Sequence, residues 1–288
     1  MPLDMSACTG TAAWEGVTRS HADFLAHLSA QSSPCPLRGL IGFHLKQLVW
    51  DAMHADCLGL RLHGLGSTML HMCREGVPFA PPATGDWKSK ANSQLADLSR
   101  DFSHWLSENK RTCSQRRFNL NSIRMYTQKS WPELKAKAKN ATLITEYLLS
   151  VHEQLEHRTE LQNYRLLMLW GFDAMFRLFN NKQRWLTVEQ RAQLESIRST
   201  LLNSYHHVNL VSSYADEAAF AMKPKFHAID ELCRWASEGG LNPGSFWAFG
   251  SEDLCGRVGK IAAACHPASM NRRVLQRWIL SFFSESRS

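Results

Sequence analysis

Apolar residues recur at helical spacing along most of this chain. Leu95, Leu98, Phe102 and Leu106 form one stripe, and Ile144, Tyr147, Leu148, Val151 and Leu155 form another. Trp131-Pro132 puts proline where a first helical turn accepts it, so a helix start is expected there. Residues 166–179 are apolar nearly all round (Leu166, Leu167, Leu169, Trp170, Phe172, Met175, Phe176, Phe179), which predicts a central helix buried on most sides. Thr187-Val188-Glu189-Gln190 has the capping-box form, and Leu194, Ile197 and Leu201 continue one face behind it. Beyond Pro224 the pattern predicts a short helix at 229–235, a turn through Gly239-Gly240-Leu241-Asn242-Pro243-Gly244, and a helix entered at Ser251-Glu252-Asp253. A last helix carries Val274, Leu275, Trp278, Ile279 and Phe282. The run Phe43, Leu45, Leu48, Val49, Trp50 suits either a buried strand or the first turns of a buried helix. The expectation is mainly α, with eight or nine helices and at most a few strands.

The same pattern divides the chain. Residues 1–40, rich in Ser, Thr, Ala and Pro around a short amphipathic stretch at Phe24, Leu25 and Leu28, read as loosely attached. Residues 41–85 read as a strand-or-helix part of a core that ends in the breakers of 78–85. Residues 86–222 read as a helical region, and 223–288 as a C-terminal helical part of the core.

Charge changes this picture at one place. Between Arg100 and Lys139 lie ten basic residues against three acids (Asp101, Glu108, Glu133), a net of +7 that equals the excess of the whole chain. Lys110, Arg111, Arg116, Arg117, Arg124, Lys129, Lys135, Lys137 and Lys139, with Phe118, Tyr126 and Trp131 interleaved, suit a surface lying along phosphates with aromatics placed for stacking. A solvated basic connector is the equal alternative.

Several classes lose support. The chain holds no G-x-S-x-G elbow, phosphate loop, G-x-G-x-x-G turn or H-E-x-x-H helix. The eight cysteines sit at irregular spacings with no C-x-x-C pair, which suits reduced thiols in a nuclear or cytoplasmic protein. The N-terminus does not read as a signal peptide, and no apolar run approaches the roughly 20 residues of a membrane helix. His54, His63 and His71 do not share a helical face and read as satisfied by hydrogen bonds rather than as metal ligands.

Two stretches carry a family pattern. The first is Val49-Trp50-Asp51-Ala52-Met53-His54, then Cys57-Leu58-Gly59-Leu60, His63 and Leu65-Gly66-Ser67; the second is Lys223-Pro224-Lys225-Phe226-His227, then Asn242-Pro243, Phe246-Trp247 and Glu252 to Arg257. Together they resemble the C-terminal part of DDE-type transposases of CACTA-like mobile elements, over roughly a quarter of the chain. The resemblance implies a small remnant RNase H-like α/β core carrying a helical domain, and DNA as partner, with Lys223 and Lys225 added to the phosphate contacts. It implies a site in which Asp51 and Glu252, or Asp253 beside it, act as catalytic carboxylates and hold Mg²⁺ or Mn²⁺. The family's first aspartate has no counterpart before Asp51, where only Asp4 and Asp23 occur. The expected protein is therefore a truncated, catalytically silent, nucleic-acid-binding derivative that needs no cofactor.

Other readings stay open at this point. Glu252 and Asp253 suit the first turn of a helix with no chemistry at all. A helical scaffold that binds an acidic protein or RNA fits the basic segment. A working metal-dependent nuclease would need a third acid from Asp56, Asp216 or Asp230.

Overall fold

Helices make up the regular structure in the computed structural model, which describes residues 20–30, 44, 48–115, 117–266, 269–270 and 272–277. In chain order they are α1 (His21–Ser29), α2 (Arg61–Glu75), α3 (Trp87–Glu108), α4 (Ala138–Glu153), α5 (Glu160–Phe179), α6 (Val188–Tyr214), α7 (Pro224–Gly239) and α8 (Phe249–Ala263). A wide π turn, Met53–Leu60, leads into α2, and a 3₁₀ turn, Pro243–Ser245, follows α7. Among the described residues the sole β pairing is one isolated bridge between Trp185 and Leu241. The chain forms two compact units, Met1–Ser245 and Phe246–Ser288; α8 belongs to the second.

The protein is thus mainly helical, and the small sheet of an RNase H-like remnant is not seen among the described residues. Residues 48–50 run into Asp51 as unpaired chain, with Leu48 and Trp50 each 49% exposed rather than buried. The rest of the expected run at Phe43 and Leu45 lies outside the described residues, as do Trp278, Ile279 and Phe282 of the last expected helix.

Local chemistry explains most helix starts. Thr187 accepts from the Gln190 N–H while Gln190 accepts from the Thr187 N–H, at 3.2 and 2.9 Å, so the expected capping box is formed. Thr159 and Gln162 make a second box at the start of α5, and Asp86 caps α3 by accepting from the Ser89 N–H at 2.8 Å. Pro224 occupies the first position of α7, which begins earlier than the expected 229.

One expected start fails for a physical reason. Pro132 does not open α4; residues 131–137 are extended, because their backbone donors are taken from outside. Glu133 N–H donates to the Ile123 carbonyl, Leu134 N–H to Leu62 and Lys135 N–H to Ser122, at 3.1, 2.9 and 2.7 Å. Gly66 makes this possible. A Cβ there would stand 2.9 Å from the backbone nitrogens of both Glu133 and Leu134, so only glycine lets the extended strand of chain lie on α2.

The core sits between α5 and α6, with α2, α4 and α7 around them. Gly171 brings α6 close, since a Cβ would lie 2.8 Å from that of Leu201. Met168, Leu169, Phe172 and Met175 of α5 are fully buried, but Leu167 and Trp170 are about two-fifths exposed at 41% and 39%. The central helix is thus buried on most sides, as expected, with Leu167 and Trp170 on the side left part-exposed.

Charges inside this core are paired. Arg61, with 0% exposure, donates to both Asp56 oxygens at 3.0 and 2.5 Å, to Thr145 Oγ1 at 3.1 Å and to the Phe172 carbonyl at 2.6 Å. Arg165 reaches both oxygens of Glu75 at 2.8 and 2.5 Å, and Arg198 pairs with Asp230 and Glu195. Burial pushes the Glu75 carboxyl up, and the Arg165 and Gln162 hydrogen bonds bring it down further, to below the usual range. Each guanidinium is matched by a carboxylate, although Arg165 Nε has no acceptor; with its acid removed, such a buried charge would cost several kcal/mol.

Candidate nucleic-acid interface

The basic segment does not form one helix or one free coil. It is a folded loop stitched onto α3. Phe118, Leu120, Ile123 and Met125 are buried, and Phe118 packs against Phe102 with ring centroids 5.4 Å apart. These apolar anchors turn Arg117, Asn119, Asn121, Arg124 and Tyr126 outward to solvent. Asn119 shapes the bend by accepting the Ser122 N–H at 2.8 Å on its side-chain oxygen.

The loop and α3 enclose a cleft of about 940 Å³. Lys88, Asn92, Ala96 and Arg100, four residues apart on α3, form one wall; Arg117, Asn119, Asn121 and Tyr126 form the other. The hydrogen bonds give this cleft a definite polarity. Asn92 Oδ1 accepts the Leu120 N–H at 3.0 Å, Asn119 Oδ1 accepts the Ser122 N–H, and Asn121 Oδ1 accepts from Lys135 Nζ at 2.9 Å. Those donors can only donate, so they fix which end of each amide is the oxygen. Three exposed NH₂ groups then remain without an acceptor among the described residues. Arg117 and Lys88 add cationic donors, neither with a carboxylate within ion-pair distance among the described residues. Asp97 is the carboxylate in the cleft, and Arg100 holds it. A wall of donors with its acceptor already engaged suits a ligand rich in acceptors.

Other cations flank it. The extended 131–137 segment buries Pro132 and Leu134 and turns Trp131, Lys135 and Lys137 outward. Lys135 also sits over the Tyr126 ring at 5.5 Å. Lys137 stands at the N-cap position of α4 without a side-chain capping bond, and Lys139 follows in its first turn, where no acid is present. The helix dipole disfavours cations at that end, so stability does not explain their position.

The remaining expected contacts sort by pairing. Lys110 and Lys129 are exposed, Lys110 in left-handed backbone with φ 52°. Arg111 lies 3.6 Å from Glu146, and Arg124 bonds Glu133 at 2.8 Å, so these two are partly neutralised. Arg116 lies outside the described residues. Lys223 is exposed at the start of α7. Lys225 lays its stem on Gly59, where a Cβ would be 2.6 Å from its Cδ, and donates to the Leu58 carbonyl at 2.8 Å.

That last contact joins the two stretches that resemble the transposases. Nearby, outside the second stretch itself, the Phe220 N–H donates to Ser67 Oγ at 2.7 Å and Trp50 Nε1 donates to Glu231 at 2.6 Å. Asp51 uses its carboxylate locally: it accepts the His54 N–H at 3.0 Å and pairs with the His54 ring. Glu252 and Asp253 lie in the opening turns of α8, in the second unit, and their side chains are outside the described residues. Among the described residues no three His, Cys, Asp or Glu side chains gather as a metal site.

The residues that sequence reasoning missed are Lys88, Asn92, Asn119 and Asn121. Two signals were available: the four-residue polar spacing opposite the Leu95, Leu98, Phe102 stripe, and the apolar alternation at 118, 120 and 125. Among the described residues no disulfide occurs, with Cys57, Cys73 and Cys233 buried as free thiols, and no helix is long and apolar enough to cross a membrane. Comparison with protein families, with curated proteins and with solved structures finds nothing that matches this chain.

Proposed function

We propose that this protein binds nucleic acid, gripping phosphates with the donor-lined cleft and the lysines beside it, without cleaving them. The observation that carries the reading is the polarity of the cleft. Three oriented amides, Arg117 and Lys88 offer hydrogen-bond donors that meet no acceptor among the described residues, and a phosphodiester backbone supplies acceptors at every step. Lys129, Lys135, Lys137 and Lys139 extend the same sign of charge.

The test is anisotropy of a labelled DNA at low salt, with the wild type and an Arg117→Glu, Lys129→Glu, Lys137→Glu variant. Reversing three exposed cations should weaken binding by at least about 10²-fold, because each phosphate contact carries part of a cooperative electrostatic term. Binding by the wild type and the variant alike would contradict the reading. Displacement of the DNA by an acidic polypeptide but not by competitor DNA would give the site to a protein partner instead.

Descent from a DDE transposase is a separate part of the proposal. It is supported by one contact between the two resembling stretches, Lys225 on Gly59 and the Leu58 carbonyl. An RNase H-like remnant would need a strand into Asp51, where unpaired chain is found. The reading of catalytic silence rests on the missing first aspartate, since only Asp4 and Asp23 precede Asp51. Should Mg²⁺- or Mn²⁺-dependent cleavage appear and vanish in Asp51→Asn, that part of the proposal is overturned and DNA binding is not.

A further inference from the structure

We infer that the cleft between α3 and the 117–126 loop takes an unpaired strand rather than a duplex, with one base stacked on Tyr126. The inference rests on the nucleic-acid reading and narrows it. Tyr126 is 58% exposed yet belongs to the wall of a concavity, so its ring is available to something that enters the cleft. A duplex keeps its base faces stacked inside and cannot offer one to a ring in a recess; a single strand can.

The neighbours of the ring strengthen this. Lys135 stands 5.5 Å from its centroid while its ammonium donates to Asn121 Oδ1 at 2.9 Å, which fixes the charge beside the aromatic surface. A nucleotide whose base lies on the ring therefore brings its phosphate near a cation held in place. The amide nitrogens of Asn92, Asn119 and Asn121 are neutral donors, which can meet base-edge acceptors as well as phosphate oxygens. They suit the keto oxygens and ring nitrogens on base edges, and an unpaired strand also opens its Watson–Crick edge, which a duplex closes. Single-stranded DNA and RNA share this chemistry.

The experiment compares the full chain binding one labelled mixed-sequence oligonucleotide in three forms: single-stranded DNA, single-stranded RNA and annealed duplex DNA, at one salt concentration. At least one single strand should bind about tenfold tighter than the duplex, and Tyr126→Ala should remove about that factor, the scale of one base stacked on an aromatic side chain. Tyr126→Phe keeps the ring and should retain wild-type binding. The duplex affinity should not respond to either variant. Since Tyr126 is exposed, unchanged circular dichroism and unfolding midpoint of both variants are the control for folding. Duplex binding as tight as both single strands, or single-strand binding indifferent to Tyr126→Ala, overturns the inference and leaves a duplex-binding protein. Absence of binding to all three at low salt overturns the nucleic-acid reading itself.

Discussion

The basic groups of the helical core and those of the 109–139 region are the same residue types put to opposite uses. In the core, Arg61, Arg165 and Arg198 are each nearly or fully buried and each is matched by a carboxylate, Asp56, Glu75 and Asp230. Around the cleft, Arg117, Lys129, Lys137 and Lys139 have no carboxylate partner among the described residues and lie in solvent. Buried cations without acids would unfold the protein, so their pairing reports structure. Exposed cations that gather without acids repel one another, and what would offset that repulsion is an anionic partner. Pairing, more than charge, separates the two roles.

Breaking a core pair should produce the largest effect. Arg61→Met leaves Asp56 buried and unpaired and is expected to lower unfolding free energy by about 3–5 kcal/mol, read from urea unfolding. If the loss stayed near zero, the Arg61 cluster would not be the structural element described.

Protonating the core is the next test. His152 is fully buried, with burial first and the Arg165 charge second pushing its pKa down to about 4, while its Nδ1 donates to the Leu148 carbonyl at 2.8 Å. A folded-state pKa below the unfolded value means that the unfolded chain takes the proton first as pH falls. The stability present above about pH 6.5 is then lost toward pH 4, by about 3 kcal/mol for this group. Urea midpoints across that window should fall in the wild type and flatten in His152→Leu.

A smaller effect tests how the core holds the interface. Gly66→Ala forces a Cβ against the backbone of Glu133 and Leu134 and should cost about 1–3 kcal/mol, with weaker nucleic-acid binding as the 131–137 segment shifts. The smallest should have the opposite sign. Lys139→Glu places an acid in the first turn of α4, where the helix dipole favours it, so stability should rise by about 0.3–1 kcal/mol while binding weakens. A lysine that lowers stability and supports binding is one that function retains.

The sequence carried the helices further than it carried the site. Periodic stripes and the Thr187 box located α3, α4 and α6 because those signals are local. The start of α4 was misplaced because Pro132 satisfies a local rule that three long-range hydrogen bonds override. The exposed face at Leu167 and Trp170 was invisible because hydrophobicity alone does not say which neighbours are present. The basic segment was legible as composition, whereas the orientation of Asn92 depends on the Leu120 N–H and that of Asn121 on the Lys135 ammonium, both brought by the fold, and only Asn119 is set within its own turn. Asp51 read as a catalytic carboxylate by motif, and its bonds to His54 come from the turn it starts.

The measurement that bears most directly on the central claim is the salt dependence of binding for the wild type and Arg117→Ala. With roughly five cations engaged, log K against log salt should fall with a slope of about −3 to −5, and Arg117→Ala should reduce its magnitude by about 0.7 to 0.9. A flat response in the wild type, or a slope that Arg117→Ala leaves untouched, would contradict a cleft that works by gripping phosphates.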